Sequence, residues 1–141
     1  MMYLLDTDHI SLIARGGLEG RSIIRHITGL LPDEIAVSIV SYEEQMRGWL
    51  AEIAAARSID RQKSKYYELE RMLKYYCASP ILPFDDAAIT IFQNLWLQRL
   101  RVGTMDLKIA SIALANNAAL LTRNLSDFSK VPGLKYEDWC V

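Results

Sequence analysis

The feature that most constrains this chain is the brevity of its apolar runs. Tyr3-Leu4-Leu5, Glu34-Ile35-Ala36-Val37-Ser38 and Ala119-Leu120-Leu121-Thr122 are three to five residues long and lie between much longer stretches of helical periodicity. Short runs without polar alternation read as strands buried on both faces, the habit of parallel sheets. Pro80-Ile81-Leu82-Pro83 is a connector or brief strand, and Leu134-Lys135-Tyr136 a last strand.

Between these runs the spacing predicts helices. One follows Asp6 through Ile10, Leu12 and Ile13 to Gly16-Gly17, and a second covers about 18–30. A helix over about 40–57 carries Met46, Leu50 and Ile53 on one stripe, and another over about 60–77 carries Tyr66, Leu69, Leu73 and Tyr76. Asp85 can cap a helix with Ile89, Phe92, Leu95 and Trp96 that runs to Gly103, and Thr104 can cap one over about 105–117. The expected fold class is α/β: a central parallel sheet of four to five short strands with helices on both faces. Sites in such sheets form at the carboxyl ends of strands, where Asp6 and Thr122 fall.

No linker, repeat or low-complexity segment divides the 141 residues, so one domain spanning 1–141 is expected. A net charge of −1 gives no molecule-wide attraction to nucleic acid, which leaves local basic patches or bound cations to make any such contact. Cys77 and Cys140 belong to no CxxC pair and read as free thiols. His9 and His26 have no partners at zinc-ligand spacing, so no zinc site is expected. The apolar start is cut off by Asp6, no stretch reaches spanning length, and a cytoplasmic protein with no membrane contact is expected.

Four acidic residues stand out. Asp6 closes a strand beside the polar string Thr7-Asp8-His9, although a helix cap explains it equally well. Glu44 differs from Glu43 in sharing its helix face with Gly48, Ala51 and Ala55, all small. A glycine one turn on costs about 1 kcal/mol of helix propensity, a cost that makes sense if space or close approach is needed above Glu44. Packing of the small face against a neighbouring helix is the alternative. Asp106 opens a very apolar helix, where it can favour the helix dipole or, if buried, require a partner or cation. Asp127 lies in Thr122-Arg123-Asn124-Leu125-Ser126-Asp127, which is also ordinary turn chemistry. Carboxylates gathered together repel unless a cation neutralises them, and hard divalent cations take oxygen ligands. Spacing alone does not join these four.

The whole chain resembles the PIN-domain ribonucleases, specifically the VapC-type toxins of prokaryotic toxin–antitoxin pairs. The resemblance lies in Leu4-Leu5-Asp6-Thr7-Asp8-His9-Ile10, in Val37-Ser38-Ile39-Val40-Ser41-Tyr42-Glu43-Glu44 with Gly48 four residues on, and in Leu82-Pro83-Phe84-Asp85. It continues through Gly103-Thr104-Met105-Asp106-Leu107-Lys108-Ile109-Ala110, Leu121-Thr122-Arg123-Asn124-Leu125-Ser126-Asp127-Phe128 and Val131-Pro132-Gly133-Leu134. It implies a PIN-like fold, with Asp6, Glu44 and Asp106 as metal-binding catalytic acids. The fourth position varies within the family, and here Asp127 is the choice, with Asn124 either its hydrogen-bonding helper or the residue that serves that position. It further implies cleavage of RNA with Mg²⁺ or Mn²⁺, a homodimer, and a cognate VapB-type antitoxin. Thr7 and Thr122 would support the site. Lys108, Arg99 and Arg101 flank Asp106 and could meet substrate phosphates, or be solvated charges near a helix end. Lys63, Lys65, Arg71 and Lys74 mix with Tyr66, Tyr67, Tyr75 and Tyr76, and those rings stack on bases or pack.

Two rivals remain open at this level. Asp6-Thr7-Asp8 after a strand resembles the nucleophile motif of haloacid-dehalogenase-type phosphatases, with Asp6 attacking phosphorus and Asp8 as general acid. A PIN-like binding protein without catalysis is the other.

Overall fold

A computed structural model describes residues 1–141. Strand β1 (Tyr3–Leu5) occupies the centre of a five-stranded sheet in the order β3-β2-β1-β4-β5, with every pairing parallel. The others are β2 (Ile35–Ser38), β3 (Ile81–Leu82), β4 (Ala119–Leu121) and β5 (Tyr136–Glu137). Tyr3 stands opposite both Ile35 and Ala119, and Leu5 opposite Leu121, so the carboxyl ends of the central strands finish level with one another.

The period of two along β1 sends neighbouring leucines to opposite layers. Leu4, Ala36 and Leu120 pack with α5 (Asp86–Leu97) and α6 (Thr104–Ala115) on one face. Leu5, Val37 and Leu121 pack on the other face with α1 (Thr7–Arg15), α2 (Leu18–Ile27) and the Met72–Tyr76 turn of α4 (Ile59–Cys77). Helix α3 (Ile39–Ala55) gives Val40 to the first layer and Tyr42 and Trp49 to the second. Within the second layer α2 approaches α1 so closely that a Cβ on Gly20 would collide with the carbonyl oxygen of Leu12.

Several expected boundaries and faces shift. Helix α2 stops at Ile27, where Leu30 N–H turns back to the Ile27 carbonyl. Helix α5 stops at Leu97 rather than Gly103, because Arg99 and Arg101 adopt left-handed backbone angles (φ 52° and 60°) that no helix accommodates. Gly103, not Thr104, takes the cap position of α6, and its carbonyl accepts the Leu107 N–H; Asp106 is therefore the third helical residue.

On α3 the buried stripe is Tyr42, Gln45, Trp49 and Ile53, while Met46 and Leu50 face solvent. On α4 it is Leu69, Met72 and Tyr76, with Tyr66 and Leu73 exposed. The two stripes share Ile53 on α3 and share Leu69 and Tyr76 on α4, and on α3 docking chose the one whose polar member finds a partner: Gln45 Oε1 accepts from Tyr76 Oη at 2.7 Å. Tyr75 and Tyr76 accordingly pack inward, whereas Tyr66 and Tyr67 point to water.

Candidate metal centre

Asp6 leaves β1 at its carboxyl end, held to β4 by its N–H on the Leu121 carbonyl at 3.0 Å. It is 6% exposed. Its Oδ1 accepts the His9 N–H at 2.8 Å and so caps α1, while no protein donor reaches Oδ2. The capping role and a site role are therefore compatible, because each needs a different oxygen.

Glu44 reaches the same end of the sheet from the second turn of α3. Ser38, the last residue of β2, caps that helix by accepting the Ser41 N–H at 3.0 Å. The Ser41 hydroxyl lies 3.0 Å from that of Thr7, which donates to Glu44 Oε1 at 2.6 Å. A charge-assisted bond of this length fixes the carboxylate rather than leaving it to rotate. Gly48, four residues on, is exposed, and a Cβ there would meet nothing within 4 Å. Neither close approach nor helix packing thus accounts for glycine above Glu44; of the expected reasons only open space agrees, since that side of α3 faces a groove. The groove, about 880 Å³, runs from Thr7 and Glu44 past Gly48 and Trp49 to Arg71 and Tyr75.

Asp106 joins the cluster from the first turn of α6, which packs against α3. Its carboxyl is pushed up to about 6, first by burial and then by the negative charges of Glu44, Asp6 and Asp127. Those three influences place all four acids in one electrostatic neighbourhood, although they come from four different elements. Asp127, on the short helix α7 (Leu125–Phe128), behaves oppositely. The Asn124 amide at 3.0 Å and the Lys130 ammonium at 3.2 Å hold its carboxyl below the usual range. Asn124 also caps α7, and the buried Thr122 Oγ1 accepts the Asn124 N–H at 2.9 Å, so both residues shape the loop that carries Asp127.

The basic residues named from sequence are less central. Arg99 and Arg101 are exposed on the loop before α6, and Lys108 lies over the Phe84 ring at 5.8 Å. Lys130, which pairs with Asp127 and donates to the Arg101 carbonyl, was missed, although an i,i+3 acid–base pair is a readable signal. The Ser38-Ser41 cap was missed too, and its S-x-x-S pattern before a helix could have shown it.

Local spacing also hid a second grouping. The fold brings His9 together with Asp138 and Cys140, their ligand atoms within 4.8 Å of one another. No three of the four acids approach one another that closely. Asp8 takes no part in it: both its oxygens are held by Arg123, at 2.7 and 3.0 Å.

Residues 3–134 match the family model described as PIN domain. Over 145 aligned residues the chain is 25% identical to "Ribonuclease VapC1" of Haemophilus influenzae strain R2866, covering 99% of this chain and 98% of that protein. A chain of VapBC-1 from nontypeable Haemophilus influenzae superposes with a TM-score of 0.77 at 23% identity, covering 100% of both chains. A chain of DNA-bound VapBC from Salmonella typhimurium gives 0.75 at 23% identity, covering 99% of each. These likenesses establish the fold, and with Asp8 engaged by Arg123 the phosphatase alternative loses its general acid. With a parallel sheet in this order, carboxylates converging at its carboxyl end and a family match from β1 to Leu134, the chain belongs to the PIN domain family.

Proposed function

We propose that this protein is a divalent-cation-dependent endoribonuclease, the toxin of a VapBC-type pair, acting on RNA in the cytoplasm as a single PIN-like domain over 1–141. The observation that carries the proposal is the gathering of Asp6 from the end of β1, Glu44 from α3 and Asp127 from α7 around Asp106, near enough for their charges to raise its carboxyl. Like charges gathered at the end of a core sheet destabilise the fold unless a cation offsets them. The donor set is all oxygen, which suits Mg²⁺ or Mn²⁺.

Asp6, Glu44 and Asp106 would hold the cation, with Asp127 at the edge. A bound divalent ion supplies Lewis-acid polarisation of the phosphodiester and lowers the pKa of its water. The protein's own part is positional. Thr7 and Ser41 fix Glu44, the α1 cap fixes Asp6, and Asn124 with Lys130 keeps Asp127 ionised. Asp106, half-buried and opposed by the other three carboxylates, is the acid whose charge a bound cation would offset most. Lys130, together with Arg99, Arg101 and Lys108, is proposed to meet RNA phosphates.

The likeness to VapC1 ribonucleases and to the toxin chains of VapBC complexes supports a VapB-type antitoxin as partner, and homodimerisation is proposed on the family's pattern. No helix is long and apolar enough to cross a membrane. The decisive experiment incubates defined RNAs with purified protein in Mg²⁺ or Mn²⁺, with chelator, and with Asp6→Asn and Asp106→Asn. Cleavage by wild type alone, abolished by chelator, is expected. Equal cleavage by all three proteins would sink the mechanism. A wild type that neither binds cation nor cuts RNA would favour the non-catalytic scaffold.

A further inference from the structure

His9 is completely buried on the first turn of α1, yet it is neither a core residue by chemistry nor part of the acid cluster. Its Nδ1 has no hydrogen-bond partner and faces Asp6 Oδ1 at 3.5 Å. Its Nε2 points the other way, towards the chain after β5, and lies 3.3 Å from the Trp139 N–H. A backbone N–H can only donate, so Nε2 carries the lone pair and the ring proton sits on Nδ1. That tautomer is the one in which a histidine ligates a metal through Nε2 while its other nitrogen faces a carboxylate.

Two further donors stand beside that lone pair. Cys140 Sγ and Asp138 Oδ1 each lie 3.9 Å from Nε2. Around a tetrahedral zinc ion, metal–ligand bonds of about 2.0–2.3 Å place neighbouring donors roughly 3.4–3.6 Å apart. The two distances from Nε2 need close by only a few tenths of an ångström, and all three donor atoms lie within 4.8 Å of one another. The Cys140 N–H, donating to Asp138 Oδ1 at 2.8 Å, ties the two side chains into one turn. Asp138 and Cys140 are both partly exposed, which leaves an entry path and room for a water as fourth ligand.

We propose that His9, Asp138 and Cys140 form a site for a soft divalent cation of the zinc class, separate from the all-oxygen cluster at Asp6, Glu44 and Asp106. A nitrogen, sulfur and oxygen donor set selects zinc or cobalt over magnesium. In the metal-free protein burial and the Asp138 carboxylate push the Cys140 thiol up to about 12, so the thiol is protonated. Cation binding releases that proton to solvent and gives up the long Trp139 N–H bond to Nε2. The bound ion would clasp the 138–140 segment to α1, one ring away from the Asp6 carboxylate.

Cobalt(II) titration of the reduced protein tests this, because a cobalt–thiolate bond adds charge-transfer absorption in the near ultraviolet that oxygen ligands do not. One equivalent should give that absorption in wild type, in Cys77→Ser and in Asp106→Asn, and added zinc should displace it. Cys140→Ser should lose it entirely, as should His9→Gln. Since His9 is fully buried and its variant could misfold, the variant of the partly exposed Cys140 is the deciding one. Cobalt binding without thiolate absorption in wild type would overturn the proposal, as would absorption retained in Cys140→Ser or lost in Asp106→Asn.

Discussion

Asp106 shows how one residue can be locally favourable and globally costly. In the first turn of α6 its charge suits the helix dipole. Burial and three neighbouring carboxylates outweigh that, and the carboxyl rises from 3.8 to about 6. Because the folded value lies above the unfolded one, the folded state holds the proton more tightly, and stability falls as pH rises through roughly 4 to 6. Thermal melts of chelated protein across that range should show the decline, and Asp106→Asn should flatten it. At pH 7 the same variant should melt higher without metal, by on the order of 1 kcal/mol or roughly 3–5 °C once solvent screening is allowed for. It should also lose the stabilisation that Mg²⁺ or Mn²⁺ gives wild type; an unchanged metal response would remove Asp106 from the ligand set. Thr7 acts differently, through the Glu44 carboxylate and the Ser41 hydroxyl beside it. Thr7→Val keeps the volume and deletes the bond to Glu44 with the contact to Ser41, whose hydroxyl keeps Ser38 as a neighbour, so RNA cleavage should drop about tenfold with little change in melting temperature. Cleavage at the wild-type rate would show that Glu44 needs no fixing.

At the scale of elements, glycines separate close packing from mere permissiveness. Gly20 lets α2 rest on the Leu12 carbonyl of α1, so Gly20→Ala should push the helices apart and cost about 2 kcal/mol or more. Urea midpoints will read it. Gly48 is open on the solvent side of α3, and Gly48→Ala should instead stabilise by roughly 0.5–1 kcal/mol through helix propensity. A loss of stability there would restore the packing role that the sequence suggested. The swapped stripes of α3 and α4 belong to this scale too. Each helix offers two apolar faces, and periodicity counts them equally. On α3 the choice went with the half-buried Gln45, which accepts from Tyr76, a residue that either stripe of α4 would present.

The whole molecule is organised by a three-residue strand. Leu4 serves the α5–α6 layer and Leu5 the α1–α4 layer, both virtually inaccessible to solvent. Either leucine changed to alanine should cost about 2–5 kcal/mol. Because the two layers share β1, each variant should still unfold in one transition monitored by far-ultraviolet circular dichroism and tryptophan fluorescence together. Separate transitions for the two probes would mean that the layers fold independently. The same strand sets the site, since parallel pairing brings Asp6, Ser38 and Thr122 to one end of the sheet.

The strands, the helix order, the caps at Asp6 and Asp85 and the candidate acids were all legible in the sequence, because period, capping chemistry and apolar run length are local properties. The PIN pattern in Asp6-Thr7-Asp8-His9 and Gly103-Thr104-Met105-Asp106 named the family on the same footing. Only the tertiary structure decided which acids feel one another and that His9 meets Asp138 and Cys140. Those outcomes depend on pairing between elements far apart along the chain. Electrostatic repulsion and ligand geometry act through space, and no local spacing carries that information.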